Sequence, residues 1–388
     1  MSKVASITRA GGLIVNPQHA TASTTQYAQG YISEGAVVTD GLKLYLDIAD
    51  YASWPGSRSL ATTWVDQSTS QAQHFDIVGD DGVILLGTYT SWAGRFPATI
   101  AATGNHIVMF DYWSDNDSVT WSIDNDGVNN NDYNTTLTAN KKKQTFSKTV
   151  NLTATGSSTM FMRPHATGSK IYIANYRFFI EAGWNDLSGN GQDATLTGSP
   201  VFNCTNDPPI HYLTFDGTDD YTTIADSTNW DFSNGDFTLE AWIHPTSMTD
   251  SSGNSGTIIC QDDNNVSKAW NLRLNSNATL LLRYTTDGSN ENDITSSATG
   301  ISINNWYHVL FVRSSNTYAF YVNGVAKGTG SLSATIYNSS TSVLVVARGG
   351  PNLYFTGRMG ILRIYKGTGL AAAQVKQNFN AERNRFGI

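Results

Sequence analysis

The segment Phe237–Ile243 reads FTLEAWI, and its alternation decides the fold class. Side chains of a β-strand point to opposite faces in turn, so the four odd-numbered residues, all apolar, share one face. The even-numbered residues Thr238, Glu240 and Trp242 share the other face. We expect the first set to line the core of a β-sandwich and the second set to point outward.

Segments of four to eight residues with this character recur from Gly41 onward, separated by clusters of Gly, Asn, Asp and Ser. Many short strands with regular turns are typical of a sandwich or barrel. Asn323-Gly324 is the strongest short hairpin signal, and helical periodicity appears only at Ala371–Phe379. The sequence therefore predicts an all-β protein. Its predicted strands include Ile107–Tyr112, Val119–Ile123, Ile171–Phe178, Leu280–Tyr284, Trp306–Val312, Tyr318–Val322 and Gly360–Tyr365.

The composition limits the possible partners. Of 388 residues, only 14% are charged, and 24 basic against 32 acidic residues give a net charge of −8. Nucleic acid is not expected as a partner, because phosphate binding needs clustered cations. No stretch approaches the roughly 20 apolar residues of a membrane span. A surface rich in Asn, Thr, Ser and Gly suits a protein that works outside cells.

The order of the chain predicts three parts. The segment TWVDQS at 63–68 is echoed by GWNDLS at 183–188, and the block between them has its own strands. We interpret 75–181 as an inserted β-sandwich, and 41–74 with 182–388 as the main jelly roll. Residues 1–40 lack a clear period and are interpreted as an extended arm for assembly or, equally, as a disordered tail. The expected assembly contacts of the arm are Leu13, Ile14, Val15, Tyr27 and Tyr31.

Residues 207–388 resemble the laminin-G/pentraxin-like jelly rolls, which are concanavalin A-like. The resemblance lies in the ordered segments Leu213–Tyr221, Phe237–Ile243, Trp306–Val309 and Phe320–Gly324, and in the ending Met359–Phe379. It implies a concanavalin-like jelly-roll sandwich. The insert resembles, more loosely, galactose-binding-like and other carbohydrate-binding modules.

The stretch Gly41–Ser57, together with Trp184–Gly191, resembles the start of laminin-G-like modules in tailed-phage virion proteins. The N-terminal residues show no secretory signal, although the surface is of the extracellular kind. We therefore expect a virion surface structural protein of a phage, used in decoration, a fibre or the tail, with glycan or host-surface binding as an added role. Other virion proteins and further copies of the chain would be its partners. The alternative is a secreted or cell-surface carbohydrate-binding adhesin.

The acidic residues argue against an enzyme. Retaining glycosidases use two carboxylates about 5–5.5 Å apart. The resemblance to concanavalin-like folds implies that a glucanase would carry a Glu-x-Asp-x-x-Glu run. None of the five Glu residues stands in that pattern. Glu291-Asn292-Asp293 has the first spacing but no third acid, and we interpret it as a solvated loop.

Calcium is the cofactor for which the sequence offers a candidate site. Asp262 and Asp263 follow a predicted strand, at a position where the pentraxin resemblance implies a calcium-binding Asp-Asn pair. The second acidic cluster that the resemblance implies would fall near 348–352, and that stretch contains no acid. A polar hairpin loop is therefore the alternative interpretation.

Sugar binding needs an exposed aromatic ring beside polar side chains. Five aromatic residues lie next to polar loop residues, and the alternative for each is a place in the core. These candidates are Trp92, Trp113, Trp230, Trp270 and Tyr354. The two cysteines, Cys204 and Cys260, are expected to be separate thiols, although pairing stays open.

Overall fold

The computed structural model describes residues 36–48, 75–78, 82–87, 94–100, 104–114, 119–127, 134–142, 144–152, 156–165, 169–180, 183–204, 210–263, 267–339, 341–350 and 353–388. The predicted assembly residues of the arm (Leu13, Ile14, Val15, Tyr27 and Tyr31) and the sugar candidate Trp92 lie outside these residues. The described part is built of antiparallel sheets with little helix, so the all-β prediction is confirmed.

The chain forms two compact units. Unit 1 comprises Met1–Tyr51, Leu187–Asn190 and Phe215–Ile388, and unit 2 comprises Ala52–Asp186 and Gly191–Thr214. These bounds are wider than the insert expected at 75–181, whose limits stay a prediction.

Unit 2 is built from short strands. They are β2 (Phe75–Val78), β3 (Gly82–Gly87), β4 (Gly94–Ile100), β5 (Gly104–Trp113), β6 (Val119–Gly127), β7 (Asn134–Ala139), β8 (Gln144–Leu152), β9 (Gly156–Pro164), β10 (Ser169–Ile180), β11 (Gly183–Trp184), β12 (Ala194–Thr197) and β13 (Val201–Cys204). One sheet has the order β2-β3-β10-β5-β8 and another the order β4-β9-β6-β7. In addition, β11 pairs with β12, and β13 pairs with β14 (His211–Asp216), which crosses the unit boundary in sequence.

Unit 1 holds the remaining strands and the helix. They are β1 (Leu42–Asp47), β15 (Tyr221–Ile224), β16 (Phe237–Pro245), β17 (Gly256–Asp263), β18 (Ser267–Leu274), β19 (Leu280–Thr285), β20 (Glu291–Thr295), β21 (Tyr307–Ser314), β22 (Thr317–Val322), β23 (Val325–Ser331), β24 (Leu344–Val346), β25 (Arg348–Gly349), β26 (Leu353–Tyr354), β27 (Thr356–Lys366) and α1 (Ala372–Glu382). Short 3-10 helices cover Thr228–Trp230 and Arg383–Phe386.

Two sheets make the sandwich of unit 1. The first sheet runs β27-β16-β21-β22-β23, with β1 also paired to β27, and the second runs β15-β24-β17-β18-β19-β20. Phe237 of the first sheet stacks on Phe232 at a centroid distance of 4.0 Å, and Phe232 contacts Trp270 of the second sheet at 5.1 Å. All three rings are buried. The apolar face expected for Phe237–Ile243 therefore lies in the core between the sheets.

The hairpin between β22 and β23 follows the sequence prediction. Asn323 and Gly324 have φ values of 51° and 76°. Two consecutive left-handed residues make the type I′ turn that fits the twist of a two-residue hairpin. In contrast, the interpretation of Glu291–Asp293 as a loop was wrong. These residues belong to β20, because backbone pairing with β19 holds them in register from Leu281↔Thr295 to Thr285↔Glu291.

The outer face of the first sheet is covered, which the alternation of β16 does not reveal. Every residue of β16 is buried, including Thr238, Glu240 and Trp242. Helix α1 lies over this face and buries Val375, Asn378 and Glu382, a spacing that places the three on one side of a helix. The even-numbered residues therefore point away from the core, as expected, but not into solvent.

Charged side chains hold this cover in place. The Arg363 guanidinium donates to Glu240 Oε1 at 2.9 Å and to both carboxylate oxygens of Glu382. The second oxygen of Glu240 accepts from the Asn378 amide at 2.9 Å, and Glu382 Oε2 also accepts from Trp242 Nε1 at 2.7 Å. We call Glu240, Arg363, Asn378 and Glu382 the helix-side network. It ties α1 to the first sheet.

Two further pairs extend this buried arrangement. His308 Nε2 lies 2.7 Å from Glu240 Oε1, and its ring stacks on Trp242 at 4.9 Å. Arg385 donates two hydrogen bonds to Asp47, at 2.6 and 2.8 Å. His308 is fully buried and packs against these groups.

Candidate binding face on the second sheet

The second sheet carries a polar outer face. Cross-strand partners in an antiparallel pair lie on the same face, and the register aligns Cys260, Asn271, Arg283 and Asp293 across β17, β18, β19 and β20. The alternate residues of β18, Trp270, Leu272 and Leu274, are buried in the core. The segment SKAWNLRL thus places its apolar residues inward and Asn271 and Arg273 outward. We call this outer surface the polar face.

The edge of the polar face is an ion network. Lys268 Nζ lies 2.6 Å from Glu291 Oε1, and Arg283 Nη1 lies 2.5 Å from Glu291 Oε2. Arg283 also donates to both oxygens of Asp293, at 2.7 and 2.8 Å. Burial would raise the pKa of Glu291, but the Lys268 hydrogen bond and the Arg283 charge lower it. The hydrogen bond from Arg283 lowers the pKa of Asp293, so both carboxylates are charged at neutral pH.

Further in, the polar face holds four buried polar residues, which we call the inner cluster. Thr257 is 0% exposed, Asn271 1%, Asp262 5% and Arg273 7%. Five of their side-chain atoms have no hydrogen-bond partner: Thr257 Oγ1, Asp262 Oδ1, Asn271 Nδ2, Asn271 Oδ1 and Arg273 Nε. A buried polar atom without a partner costs about 1–3 kcal/mol. Such a group in a native fold requires an explanation.

Burial and charge act together on this cluster. Burial raises the pKa of Asp262, and the charges of Arg273 and Lys268, together with an interaction with the Asn271 side chain, counteract it only in part. Burial and the neighbouring Arg283 lower the pKa of Arg273. The cluster and the edge network share these interactions, so they form one continuous polar surface.

Strand β25 lies directly over the inner cluster. A Cβ atom at Gly349 would come within 2.4 Å of both Asn271 Nδ2 and Thr257 Oγ1. Beside it, Cys260 Sγ donates to the Arg348 carbonyl at 3.2 Å, and the Arg348 guanidinium lies 3.8 Å above the Tyr221 ring. The arrangement makes the inner cluster a covered pocket rather than an open surface.

The aromatic candidates differ in how deeply they are buried. Trp230 and Trp270 are 0% and 1% exposed, and Trp270 Nε1 donates to the Trp230 carbonyl at 3.1 Å. As sugar platforms these two predictions were wrong, because a ring enclosed in the core cannot stack on a ligand. Trp113 is half-buried and stacks on Tyr172 at 5.3 Å, and Tyr354 is half-buried in β26. These two stay predictions.

The surroundings of Asp262 are unfavourable for calcium. Calcium takes six to eight oxygens, usually from several carboxylates, whereas Arg273 and Lys268 are the charges next to Asp262. Asp262 also lies within β17 rather than after it, and the side chain of Asp263 is outside the described part. Within the described ranges, Asp216, Asp219 and Asp220 have ligand atoms within 4.8 Å of one another. Two of them brace the turn by accepting backbone N–H bonds. Calcium at Asp262 and Asp263 stays a prediction.

Sequence reasoning singled out Asp262 but missed Thr257, Asn271 and Arg273. A usable signal was present in Ser267–Leu274, where polar residues alternate with large apolar ones. The sequence could not show that β25, which follows Asn271 by almost 80 residues, packs over these side chains.

The candidate site lies within a segment of the chain that matches a known protein family. Residues 216–376 match the family described as the concanavalin A-like lectin/glucanases superfamily, a laminin-G type. The matched range contains the polar face and the inner cluster. The predicted laminin-G-like resemblance is thus supported for this part of the chain, while the tailed-phage context stays a prediction.

Individual relatives are distant. The chain is 26% identical over 136 residues to adhesion G-protein coupled receptor V1 of Danio rerio, a match that spans 33% of this chain but only 2% of the receptor. The binding domain of Paraclostridial mosquitocidal protein 1 aligns at 20% identity and a TM-score of 0.42, covering 52% of this chain and 50% of that one. The binding domain of botulinum neurotoxin serotype D/C aligns at 17% and 0.39, covering 51% and 49%. At such TM-scores, these similarities support no conclusion about this chain.

Among the described residues, no helix has both the length and the apolar character needed to cross a membrane.

Proposed function

We propose that this chain is a non-enzymatic surface protein of a virus particle whose laminin-G-like domain binds a glycan through the polar face. The observation that carries the binding role is the inner cluster, in which five buried polar atoms lack partners within the protein. A ligand that supplied those partners would form the missing hydrogen bonds and offset the cost of burying these atoms. The match of residues 216–376 to a superfamily of lectins and glucanases agrees with this role.

The chemistry of the face favours a neutral, hydroxyl-rich ligand. The unpartnered atoms include donors (Asn271 Nδ2 and Arg273 Nε) and acceptors (Asn271 Oδ1 and Asp262 Oδ1). A sugar hydroxyl both donates and accepts, so neighbouring hydroxyls can serve both kinds of atom. Across the face, three cations (Lys268, Arg273, Arg283) balance three carboxylates (Asp262, Glu291, Asp293). A polyphosphate would find no net attraction there.

The virion assignment has separate support. The two stretches that resemble phage modules, Gly41–Ser57 and Trp184–Gly191, meet in part within unit 1. Leu187 N donates to the Tyr45 carbonyl at 2.8 Å, and Ser188 Oγ donates to the Lys43 carbonyl at 3.0 Å. This contact favours a single module built from both stretches. Other virion proteins and further copies of the chain are the proposed partners, and a secreted or cell-surface adhesin is the alternative.

Glycan hydrolysis is the second candidate, because the pKa of Asp262 is raised while that of Glu291 is lowered. Opposed pKa values in two nearby carboxyl groups are typical of an acid and a nucleophile. However, both Glu291 oxygens are engaged, one by Lys268 and one by Arg283. We therefore expect no reducing ends to be released from β-glucans or host polysaccharides. Turnover that disappears in Glu291→Gln would establish the enzyme instead.

The binding role is tested with the full chain on an array of neutral and acidic glycans. We expect binding to neutral glycans and at least a tenfold loss in Asn271→Leu, because the central unpartnered amide is removed. Asn305→Leu is the matched control, since Asn305 is exposed in a turn outside the polar face. Absence of binding, or equal binding by both variants, would contradict the role. For the virion assignment, a mass-spectrometric inventory of purified particles should contain the chain, and its absence would favour the adhesin.

A further inference from the structure

We propose that strand β25 occupies the innermost sugar subsite and that the ligand takes its place, with Thr257, Asp262 and Asn271 binding ligand hydroxyls. The proposal rests on the proposed glycan function and names the atoms and the movement that this function requires. The inner cluster is 0–7% exposed. A sugar ring therefore cannot contact it while β25 stays in place.

Gly349 is present for close approach and not for backbone freedom. Its φ lies outside the left-handed region in which only glycine is comfortable. A Cβ there would lie 2.4 Å from Asn271 Nδ2 and from Thr257 Oγ1, well inside contact distance. Glycine in a strand often marks a place where another backbone comes close. At this point β25 contacts polar atoms of the inner cluster that have no hydrogen-bond partner.

Strand β25 lies outside the two main sheets of unit 1. It pairs with β26 through Arg348↔Tyr354 and Gly349↔Leu353, and together they form a separate two-stranded sheet. The backbone hydrogen bonds at its base include Ala347 N to the Ile258 carbonyl at 3.0 Å and Phe355 N to the Ala347 carbonyl at 2.8 Å. Over the cluster, the bond from the Cys260 thiol is of a weak kind. Moving β25 away therefore leaves the backbone pairing of the two main sheets intact.

The backbone at the base is also strained. Ala347 has a φ of 67°, a left-handed conformation that non-glycine residues rarely adopt. Strain of this kind persists only where the surrounding structure holds it, and it recurs at binding sites and switch regions. Ala347 is thus a suitable pivot, while buried Phe355 anchors the far end.

Cys260 reports whether β25 is in place. The thiol is 0% exposed beneath Arg348, and burial raises its pKa, so the reactive thiolate is suppressed in the covered state. The chain has two cysteines, so Cys204→Ser leaves Cys260 as its single thiol. The rate of maleimide labelling in native buffer then measures exposure of the cluster without any ligand.

In this background, Gly349→Ala should speed labelling of Cys260 at least tenfold, because the added methyl displaces β25. Gly235→Ala is the matched control, since Gly235 lies in an exposed turn with one neighbouring carbonyl at 3.2 Å, and it should leave the rate unchanged. Arg348→Ala provides a second variant in case Gly349→Ala does not fold. It removes the contact with Tyr221 without adding atoms, and labelling should be several-fold faster.

The same variants separate this proposal from the function on which it rests. Glycan-array binding should be at least as strong in Gly349→Ala as in the parent, because the ligand no longer competes with β25. If Cys260 reacts only at the global unfolding rate in every variant while array binding persists, the displacement is wrong and the glycan function stands. Fast local labelling without binding to any glycan would overturn the function itself, and the ligand's part of this proposal with it.

Discussion

The two sheets of unit 1 each bury a polar cluster on their outer face, and the two clusters are satisfied to different degrees. In the helix-side network, all four carboxylate oxygens of Glu240 and Glu382 accept a hydrogen bond, and Arg363 Nε is the one side-chain atom without a partner. In the inner cluster, neither the amide nitrogen nor the oxygen of Asn271 makes a hydrogen bond of good distance and angle, and its interaction with Asp262 is a weak one. Both clusters are nearly inaccessible to solvent, so burial alone does not distinguish them.

This contrast indicates which cluster stabilises the fold and which one binds a ligand. The more completely a buried polar network is satisfied, the more it makes the fold rigid, whereas each unsatisfied atom costs free energy. Binding sites commonly give up stability in this way, because their polar groups are arranged for a ligand. We therefore assign the helix-side network to holding α1 and the inner cluster to recognition.

The largest effect is expected from Glu240→Gln. The substitution leaves the buried Arg363 with one carboxylate instead of two and replaces the charged group beside His308 with a neutral amide. Breaking a buried ion pair costs about 3–5 kcal/mol. Denaturant unfolding should show a loss of this size. A loss below about 1 kcal/mol would mean that the network does not hold the fold.

The acid stability of the protein gives the next largest effect. Burial would raise the pKa of Glu240, but Arg363, His308 and Asn378 hold it at about 2, below its ordinary value of 4.5. Because the folded pKa is depressed, the contribution is complete above about pH 4.5 and is lost as the pH falls toward 2. It amounts to about 3 kcal/mol.

This contribution is measured as the difference between the stability profiles of the parent and Glu240→Gln from pH 6 to pH 2. The difference should shrink steadily below about pH 4.5, because the variant has no group to protonate. A constant difference across this range would show that Glu240 titrates normally in the folded protein.

The smallest loss is expected from Glu291→Gln on the polar face. Its side chain is 28% exposed, as is that of Arg283, and exposed ion pairs contribute about 0–1 kcal/mol. Unfolding measurements should therefore show a change below about 1 kcal/mol. A loss as large as that of Glu240→Gln would remove the contrast between the two faces.

The sequence predicted strands and turns more accurately than it predicted which segments pack against them. Alternation in Phe237–Ile243 and the signal Asn323-Gly324 predicted strands, faces and a turn that the structure contains. These features depend on local chemistry. Burial of Glu240 was not predictable, because its cover comes from α1, more than 130 residues later in the chain.

The candidate site was predicted only at Asp262. Trp230 and Trp270 were misassigned because an aromatic residue beside polar neighbours has the same pattern in a core as on a surface. The role of Asn271 depends on the cross-strand register and on Gly349 above it. Neither is encoded within a short window of sequence.

The most direct test of the central claim is the stability of Asn271→Leu, measured beside its glycan binding. Leucine has the same number of side-chain heavy atoms and the same branching as asparagine, and it removes two buried polar atoms without good hydrogen bonds, so the free energy of unfolding should be unchanged or higher by about 1 kcal/mol. Binding to neutral glycans should fall at least tenfold in the same preparation. A variant that loses more than about 1 kcal/mol of stability and still binds would show that Asn271 supports the fold and not the ligand.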